Sequence, residues 1–173
     1  MKKRGQAAME FLMTYGWAIV VVLAAIGALA YFGVLSPNKL LPDRTTFATP
    51  LPNVDNAVIN MSNSVQIAFK NNKGVAITLP LTATVAGGSS QCSGALTVTG
   101  TFTNSSLLQE TIVAGVTQIS NGGGFMLTFQ CPANANAKVG ERFKADFAFP
   151  YTNAETSQLL TQTGSVEGKY SLN

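Results

Sequence analysis

Few side chains in this chain are able to do chemistry. It has no histidine and only two cysteines, Cys92 and Cys131. Without histidine, Ser-His-Asp and Cys-His nucleophile systems, histidine-ligated metals and the usual histidine general base are excluded. Two thiolates are also too few for an all-cysteine zinc site or an iron–sulfur cluster. These absences argue against most hydrolytic, metal and redox catalysis.

The carboxylates that lie nearest to one another in the sequence are Glu141, Asp146, Glu155 and Glu167. Glu141 and Asp146 are five positions apart. On a strand they would face opposite sides, which argues against an acid–base pair. The glycines at 122–124 are not followed by Lys-Ser/Thr, so they do not form a phosphate-binding loop. We interpret these carboxylates as solvated surface charges and expect no enzyme activity, no cofactor and no metal.

The charge and hydropathy patterns divide the chain at its N-terminus. Lys2, Lys3 and Arg4 account for the whole formal charge of +3, so the remainder offers no basic face to a nucleic acid. From Phe11 to Asn38 there is no charged residue. A helix of that length exceeds a bilayer core of about 30 Å, and it is apolar on all sides.

This apolar segment predicts a retained membrane helix with its N-terminus inside and the larger C-terminal part outside, because the basic residues precede it. A cleaved secretory signal peptide is the alternative. The apolar core of such a peptide is only about 7–15 residues long, and no Ala-x-Ala site lies before a polar start.

Residues 2–12 read Lys-Lys-Arg-Gly-Gln-Ala-Ala-Met-Glu-Phe-Leu. This string resembles the class III signal peptide of archaeal type IV pilins: a short basic leader, Gly5, Gln6, then Glu10 and a long apolar helix. Members of that family often carry serine between the glutamine and the glutamate, where this chain has alanines and a methionine. The resemblance covers residues 1 to about 35. It implies that a membrane-embedded prepilin peptidase cuts between Gly5 and Gln6.

The resemblance divides the N-terminal region into a signal peptide, 1–5, and a hydrophobic membrane or filament-core helix, 6–36. It implies that Glu10 is the partner of the N-terminal amine of a neighbouring subunit. Gly16 and Gly27 are among the small residues that would let copies of this helix pack closely.

The function implied is that of a structural subunit of an extracellular, type IV pilus-like filament with a role in adhesion. Its partners would be the prepilin peptidase, a pilus assembly ATPase with its membrane platform, the membrane before assembly, and further copies in a helical homo-oligomer. The precursor would be a single-pass membrane protein, and the mature form would lie on the cell surface. Two alternatives stay open: an archaellin of a motility filament, and a surface binding module that stays anchored in the membrane.

The rest of the sequence predicts a β domain. Residues 37–64 are rich in proline and asparagine, as in a linker. Within 65–173 we expect strands near 65–70, 75–79, 95–102, 112–119, 125–129, 143–149 and 166–172, the first two forming a hairpin. The predicted fold class is therefore α+β, a long N-terminal helix followed by an antiparallel β-sandwich. The family resemblance adds that this sandwich is immunoglobulin-like.

Three further features bear on the surface of this domain. A disulfide between Cys92 and Cys131 would suit an oxidising exterior, the alternative being two free cysteines. Asn60 and Asn104 begin Asn-x-Ser sequences, so they are candidate N-glycosylation sites. Between Gly74 and Ala137 the only charged residue is Glu110. Such a surface suits a domain that is packed against neighbours, covered with sugar, or exposed to harsh pH or salt.

Overall fold

The computed structural model describes residues 3–32, 41–88, 92, 95–103, 109–132 and 137–172. The chain divides into two compact units, Met1–Leu41 and Pro42–Asn173. The first contains helix α1 (Lys3–Tyr31). The second contains strands β1 (Arg44–Phe47), β2 (Val58–Asn60), β3 (Ser64–Lys70), β4 (Ile77–Thr78), β5 (Thr82–Gly88), β6 (Ala95–Thr103), β7 (Gln109–Thr111), β8 (Gln118–Ile119), β9 (Gly124–Gln130), β10 (Arg142–Asn153) and β11 (Leu159–Ser171). One apolar helix followed by a strand-rich region confirms the predicted α+β class.

The strands of the second unit close into a ring. Their order is β11-β2-β3-β9-β6-β5-β10, and β10 then pairs with β11. Neighbouring strands run antiparallel except β2 and β11, which are parallel where Ile59 lies opposite Tyr170. β1 pairs with β11, β7 with β6, and β4 with both β10 and β8.

The unit is thus a closed β-barrel rather than the predicted sandwich of two separate sheets. The ring closes because β11 is long enough to pair with β10 along one edge and with β1 and β2 along the other. Nothing in this pairing is specific to an immunoglobulin-like domain.

Aromatic side chains fill the inside of the barrel. Buried and partly buried positions alternate along β3, β9 and β10, as the two faces of a strand require. The ring centroids of Phe129 and Phe147 lie 4.9 Å apart, and those of Phe69 and Phe149 lie 5.2 Å apart. A barrel of about eight strands has an interior just wide enough for side chains to fill. The seven strands of this ring therefore enclose a packed core.

This packing requires a glycine in β11. Gly164 lies opposite Phe47 of β1 on one side and Phe147 of β10 on the other. A Cβ atom at Gly164 would overlap the ring of Phe47. That ring packs edge-on against Phe69, with 4.9 Å between the centroids. The missing side chain lets the Phe47 ring approach the backbone of β11 closely.

The strand-rich unit begins earlier than predicted. Residues 42–64, which we expected to be a linker, belong to this unit and supply β1 and β2. Asn53 Oδ1 accepts a hydrogen bond from the Phe47 amide at 2.9 Å, and Asn56 Oδ1 accepts one from the Thr45 amide at 3.2 Å. Asparagine side chains here satisfy backbone groups that a strand partner would otherwise satisfy. The segment is therefore ordered without a period-two pattern.

The expected hairpin over residues 65–79 is wrong. β3 pairs with β2 and β9, whereas β4 pairs with β10 and β8. Asn71 follows β3 and is fully buried. Its Nδ2 donates to the carbonyl oxygens of Val75 and Ile119, both at 2.9 Å. These bonds hold the chain near β8, so it does not turn back along β3.

Candidate functional site

The residues of the predicted processing and assembly segment lie on α1. Its part from Ala8 to Tyr31 is 24 residues long and, by length and composition, apolar enough to cross a membrane. No part of that span is buried, and the Trp17 side chain is 72% exposed. Covering one large apolar side chain stabilises by about 1.5–3 kcal/mol. A helix exposed in this way requires lipid or another protein around it.

Gly5, Gln6 and Glu10 lie on this one continuous helix. The Gly5–Gln6 peptide bond falls within its first turns, so the backbone there is helical rather than extended. A glycine inside a helix costs roughly 0.5–1 kcal/mol relative to alanine, which makes these turns easier to unwind. Glu10 is exposed, and its backbone carbonyl accepts a hydrogen bond from Thr14 Oγ1 at 2.9 Å.

Gly16 and Gly27 lie on the same side of α1, since eleven residues make about three helical turns. A Cβ atom added to either glycine would meet no atom within 4 Å. Elsewhere on the helix surface, Phe11, Tyr15 and Val22 border a groove of about 380 Å³. The Phe11 and Tyr15 rings lie 4.5 Å apart, centroid to centroid. In the single chain both surfaces are open to a neighbouring helix.

The predicted disulfide between Cys92 and Cys131 is confirmed. The two Cα atoms lie 5.2 Å apart, and both side chains are buried. Cys131 directly follows β9, while Cys92 lies in the connection between β5 and β6. The bridge therefore fastens that connection to the barrel wall. Neither cysteine is free to bind a metal or to act as a nucleophile.

One of the two candidate glycosylation sites, Asn60, lies in the described part of the domain. Asn60 ends β2 and is partly buried; its Nδ2 donates to Ser64 Oγ at 3.2 Å, and its Oδ1 is buried. An N-linked sugar replaces one of the two hydrogens on Nδ2, so the other hydrogen can keep the bond to Ser64. Asn104 lies outside the described residues.

Sequence reasoning missed a charged cluster on β10 and β11. Lys144 Nζ lies 2.5 Å from Glu167 Oε1, and Arg142 Nη2 lies 3.7 Å from Glu167 Oε2. The hydrogen bond from Lys144 holds the pKa of Glu167 below its ordinary value of 4.5. The same bond raises the pKa of Lys144 above 10.5. Lys144 lies directly opposite Glu167 where β10 pairs with β11. The cluster could therefore have been predicted only from the pairing of these two strands.

The arrangement offers no metal centre within the described ranges. There, no three Cys, Asp or Glu side chains come together in a way that would hold a metal ion. Comparisons with protein-family models, with curated proteins and with solved structures give no match.

Proposed function

We propose that this chain is a structural subunit of an archaeal type IV pilus-like extracellular filament with an adhesive role. One observation carries the proposal: none of the residues in the 24-residue apolar span of α1 is buried, although the other unit has a packed core of its own. We name the type IV pilin family because the leader at residues 1–5 resembles a class III signal peptide. In this proposal, a prepilin peptidase cuts between Gly5 and Gln6, and an assembly ATPase with its membrane platform extracts the helix.

Assembly would exchange lipid contacts for contacts between helices. Because lipid tails are as apolar as the helices, association depends on close packing more than on the release of water. Gly16 and Gly27 provide the space for that packing. Glu10 would pair with the N-terminal amine of Gln6 in a neighbouring subunit, since a carboxylate within an apolar assembly is stable only when it is paired. From the same family resemblance we propose that the barrel is an immunoglobulin-like domain.

Two other functions use the same features. An archaellin would share the leader, the helix and the β domain, and loss of swimming after deletion would identify it. A permanently anchored surface binding module is favoured by the same apolar span, since a helix of 24 residues also holds a protein in a bilayer. That module would keep its leader and would form no filament.

The test is N-terminal sequencing and intact-mass measurement of the protein sheared from the cell surface. A chain that begins at Gln6 supports processing and a filament subunit. A chain that keeps Lys2 to Gly5 and is found only in membranes refutes the filament proposal and leaves the anchored module in its place.

A second experiment tests the helix packing. A Cβ atom added at Gly27 meets no atom within 4 Å in the single chain, so membrane insertion of Gly27→Leu should match that of the wild type. Between packed helices it would hold neighbours apart, and we expect at least about tenfold less filament, equivalent to about 1.4 kcal/mol. Val20→Leu is the control, because it enlarges an occupied position on the same side. Normal filaments from Gly27→Leu would contradict close packing at this glycine.

A further inference from the structure

Charged residues are unevenly distributed over the barrel. Residues 42–173 contain seven basic and seven acidic residues. Five of the basic residues lie where the chain enters the barrel: Arg44, Lys138, Arg142, Lys144 and Lys169. Strand pairing brings them together, because Arg44 lies opposite Glu167 and Arg142 lies opposite Lys169. This region, made of residues 42–44, 137–144 and 167–172, is named here the entry end.

The entry end has a net positive charge. Its acidic residues are Asp43, Glu141 and Glu167, so five basic and three acidic residues leave a charge of +2. Asp146 is the next outward residue of β10 after Lys144, and counting it as well still leaves +1. Since the barrel as a whole is neutral, the rest of it is correspondingly negative. The entry end is therefore the part of the barrel that attracts an anionic partner.

Several basic side chains of the entry end are open to such a partner. The exposed ones are Arg44, Lys138 and Lys144. Lys144 is bonded to Glu167, but an ammonium group has three donors, and 61% of this side chain is exposed. The Arg142 side chain is only 17% exposed, and its Nη1 donates to the Pro42 carbonyl at 3.5 Å. Arg142 therefore fastens the incoming chain, whereas the exposed side chains can reach a ligand outside the barrel.

Two exposed apolar side chains lie beside these charges. Val139 and Leu172 are 52% and 77% exposed. The Gly140 amide donates to the Tyr170 carbonyl at 2.9 Å, and the Tyr170 amide donates to the Glu141 carbonyl at 3.0 Å. These bonds hold the turn that carries Val139 against the end of β11, so Val139 and Leu172 lie at the same end of the barrel. Exposed apolar side chains next to basic ones are typical of proteins that bind the surface of a membrane.

The entry end is also the part of the barrel that follows the apolar span in the sequence. The span ends at Tyr31, and the barrel unit begins at Pro42. The ten residues 32–41 reach at most about 35 Å when fully extended. In a chain that α1 holds in a bilayer, this tether gives the entry end a high effective concentration at the lipid surface. A weak attraction is then enough for binding.

We propose that the entry end binds the headgroup surface of an anionic bilayer in which α1 is inserted. Its exposed basic side chains contact lipid phosphates, and Val139 and Leu172 reach the apolar boundary beneath them. The attraction between basic residues and anionic lipids acts within about a Debye length, so the contact depends on salt. The inference rests on the membrane-held stage of the proposed filament subunit, a stage that the anchored module shares.

Site-specific quenching tests the contact in the full chain, reconstituted in phosphatidylcholine vesicles that contain one third phosphatidylglycerol. A fluorophore is attached either to Leu172→Cys or to the control Val116→Cys, whose side chain in the wild type is 70% exposed. Val116 precedes β8, which is joined through β4 to Thr152 and Asn153 at the other end of β10. The two ends of this strand lie about 36 Å apart. With a quencher on the lipid headgroups, we therefore expect severalfold more quenching at position 172 than at position 116.

A change of charge gives a second readout. Lys138→Glu should lower the quenching at position 172 severalfold, whereas the same change at the last residue of β3, Lys70→Glu, should leave it unchanged. Vesicles of phosphatidylcholine alone should remove the difference between positions 172 and 116. About 1 M salt should do the same, because the Debye length is then only about 3 Å. In the unmodified chain, amide hydrogen exchange at residues 138–141 should be slower in anionic vesicles than in neutral ones.

The possible results separate this contact from the filament proposal. Equal quenching at the two positions would overturn the contact and leave the filament proposal standing. Quenching at position 172 that persists in neutral vesicles or in high salt would overturn binding to anionic lipid. If the cysteine variants do not fold, equal hydrogen exchange in the two kinds of vesicle overturns the contact. A chain that the vesicles do not retain after an alkaline wash would refute α1 as a membrane span, and with it the membrane-held stage of the proposed function.

Discussion

Removal of the Cys92–Cys131 bridge should destabilise the barrel mainly through its effect on the unfolded chain. The two cysteines are separated by 39 positions. In the chain-entropy model, a closed loop of this length lowers the entropy of the unfolded chain by about 13 cal/mol/K, which is about 4 kcal/mol at 25 °C. Folded domains are stable by only about 5–15 kcal/mol. The double variant Cys92→Ala/Cys131→Ala should therefore fold, but with a much smaller margin.

Urea unfolding of the full chain in detergent measures this effect, with the buried tyrosines Tyr151 and Tyr170 as probes of the barrel. With a slope of about 2 kcal/mol/M, the unfolding midpoint should fall by about 2 M. The single variant Cys92→Ala should lose about as much, because the crosslink is absent in both. A loss below about 1 kcal/mol in the double variant would refute the loop-closure reasoning. A much smaller loss in the single variant would assign the effect to packing of the sulfur atoms.

Three further predictions concern the barrel. Gly164→Ala should lower the free energy of unfolding by about 1–3 kcal/mol, because its methyl group overlaps the Phe47 ring. Gly124→Ala is the control and should change this free energy little. Equal effects of the two variants on urea unfolding would contradict the close approach of Phe47 to Gly164. The lowered pKa of Glu167 means that its ion pair stabilises the fold above pH 4.5 and is lost as the pH falls through that lowered pKa. When the free energy of unfolding is measured from pH 7 downward, Glu167→Gln should therefore lose less of it at acid pH than the wild type does. Identical losses in the two proteins would show that this ion pair does not contribute to stability. Asn71→Ala leaves three carbonyl oxygens without their donor and should lower the free energy of unfolding by about 3 kcal/mol. A loss of less than about 1 kcal/mol in the same urea measurement would mean that water replaces the amide.

The central strands of the barrel were predictable because burial of one face produces a period of two. Residues 125–129 and 143–149 alternate aromatic or apolar with other side chains, and both segments lie within strands whose aromatic positions face the core. The disulfide was predictable because only two cysteines were available. The glycines of α1 were visible for a similar reason, since helical periodicity is a local property of the sequence.

Other parts were not predictable because they depend on partners distant in sequence. β11 starts at Leu159, seven positions before the expected Val166. Its first half includes the buried polar residue Gln162, whose Nε2 donates to the Ala48 carbonyl at 2.8 Å, and Gly164, which makes room for a ring. Neither residue type signals a buried strand by itself. Residues 112–119 likewise form a turn over 113–117 and the short β8 rather than one strand, because the chain reverses at Gly115.

The ion pair between Lys144 and Glu167 illustrates the same limit for a candidate site. The two residues lie 23 positions apart, and neither belongs to a recognisable motif. Only the register of β10 against β11 brings their side chains together. Cross-strand neighbours of this kind become visible once the pairing of strands is known.

The position of β11 in the ring decides when the barrel can close. This strand is the eleventh in chain order, and it pairs with β10, β1 and β2. A polypeptide leaves the ribosome with its N-terminus first. Until residues 159–171 have emerged, the other three strands keep unpaired edges. Helix α1 is complete more than 120 residues earlier. A chain built in this order can be threaded across a bilayer while its barrel is still unfolded, and the ring then closes on the side where β11 arrives.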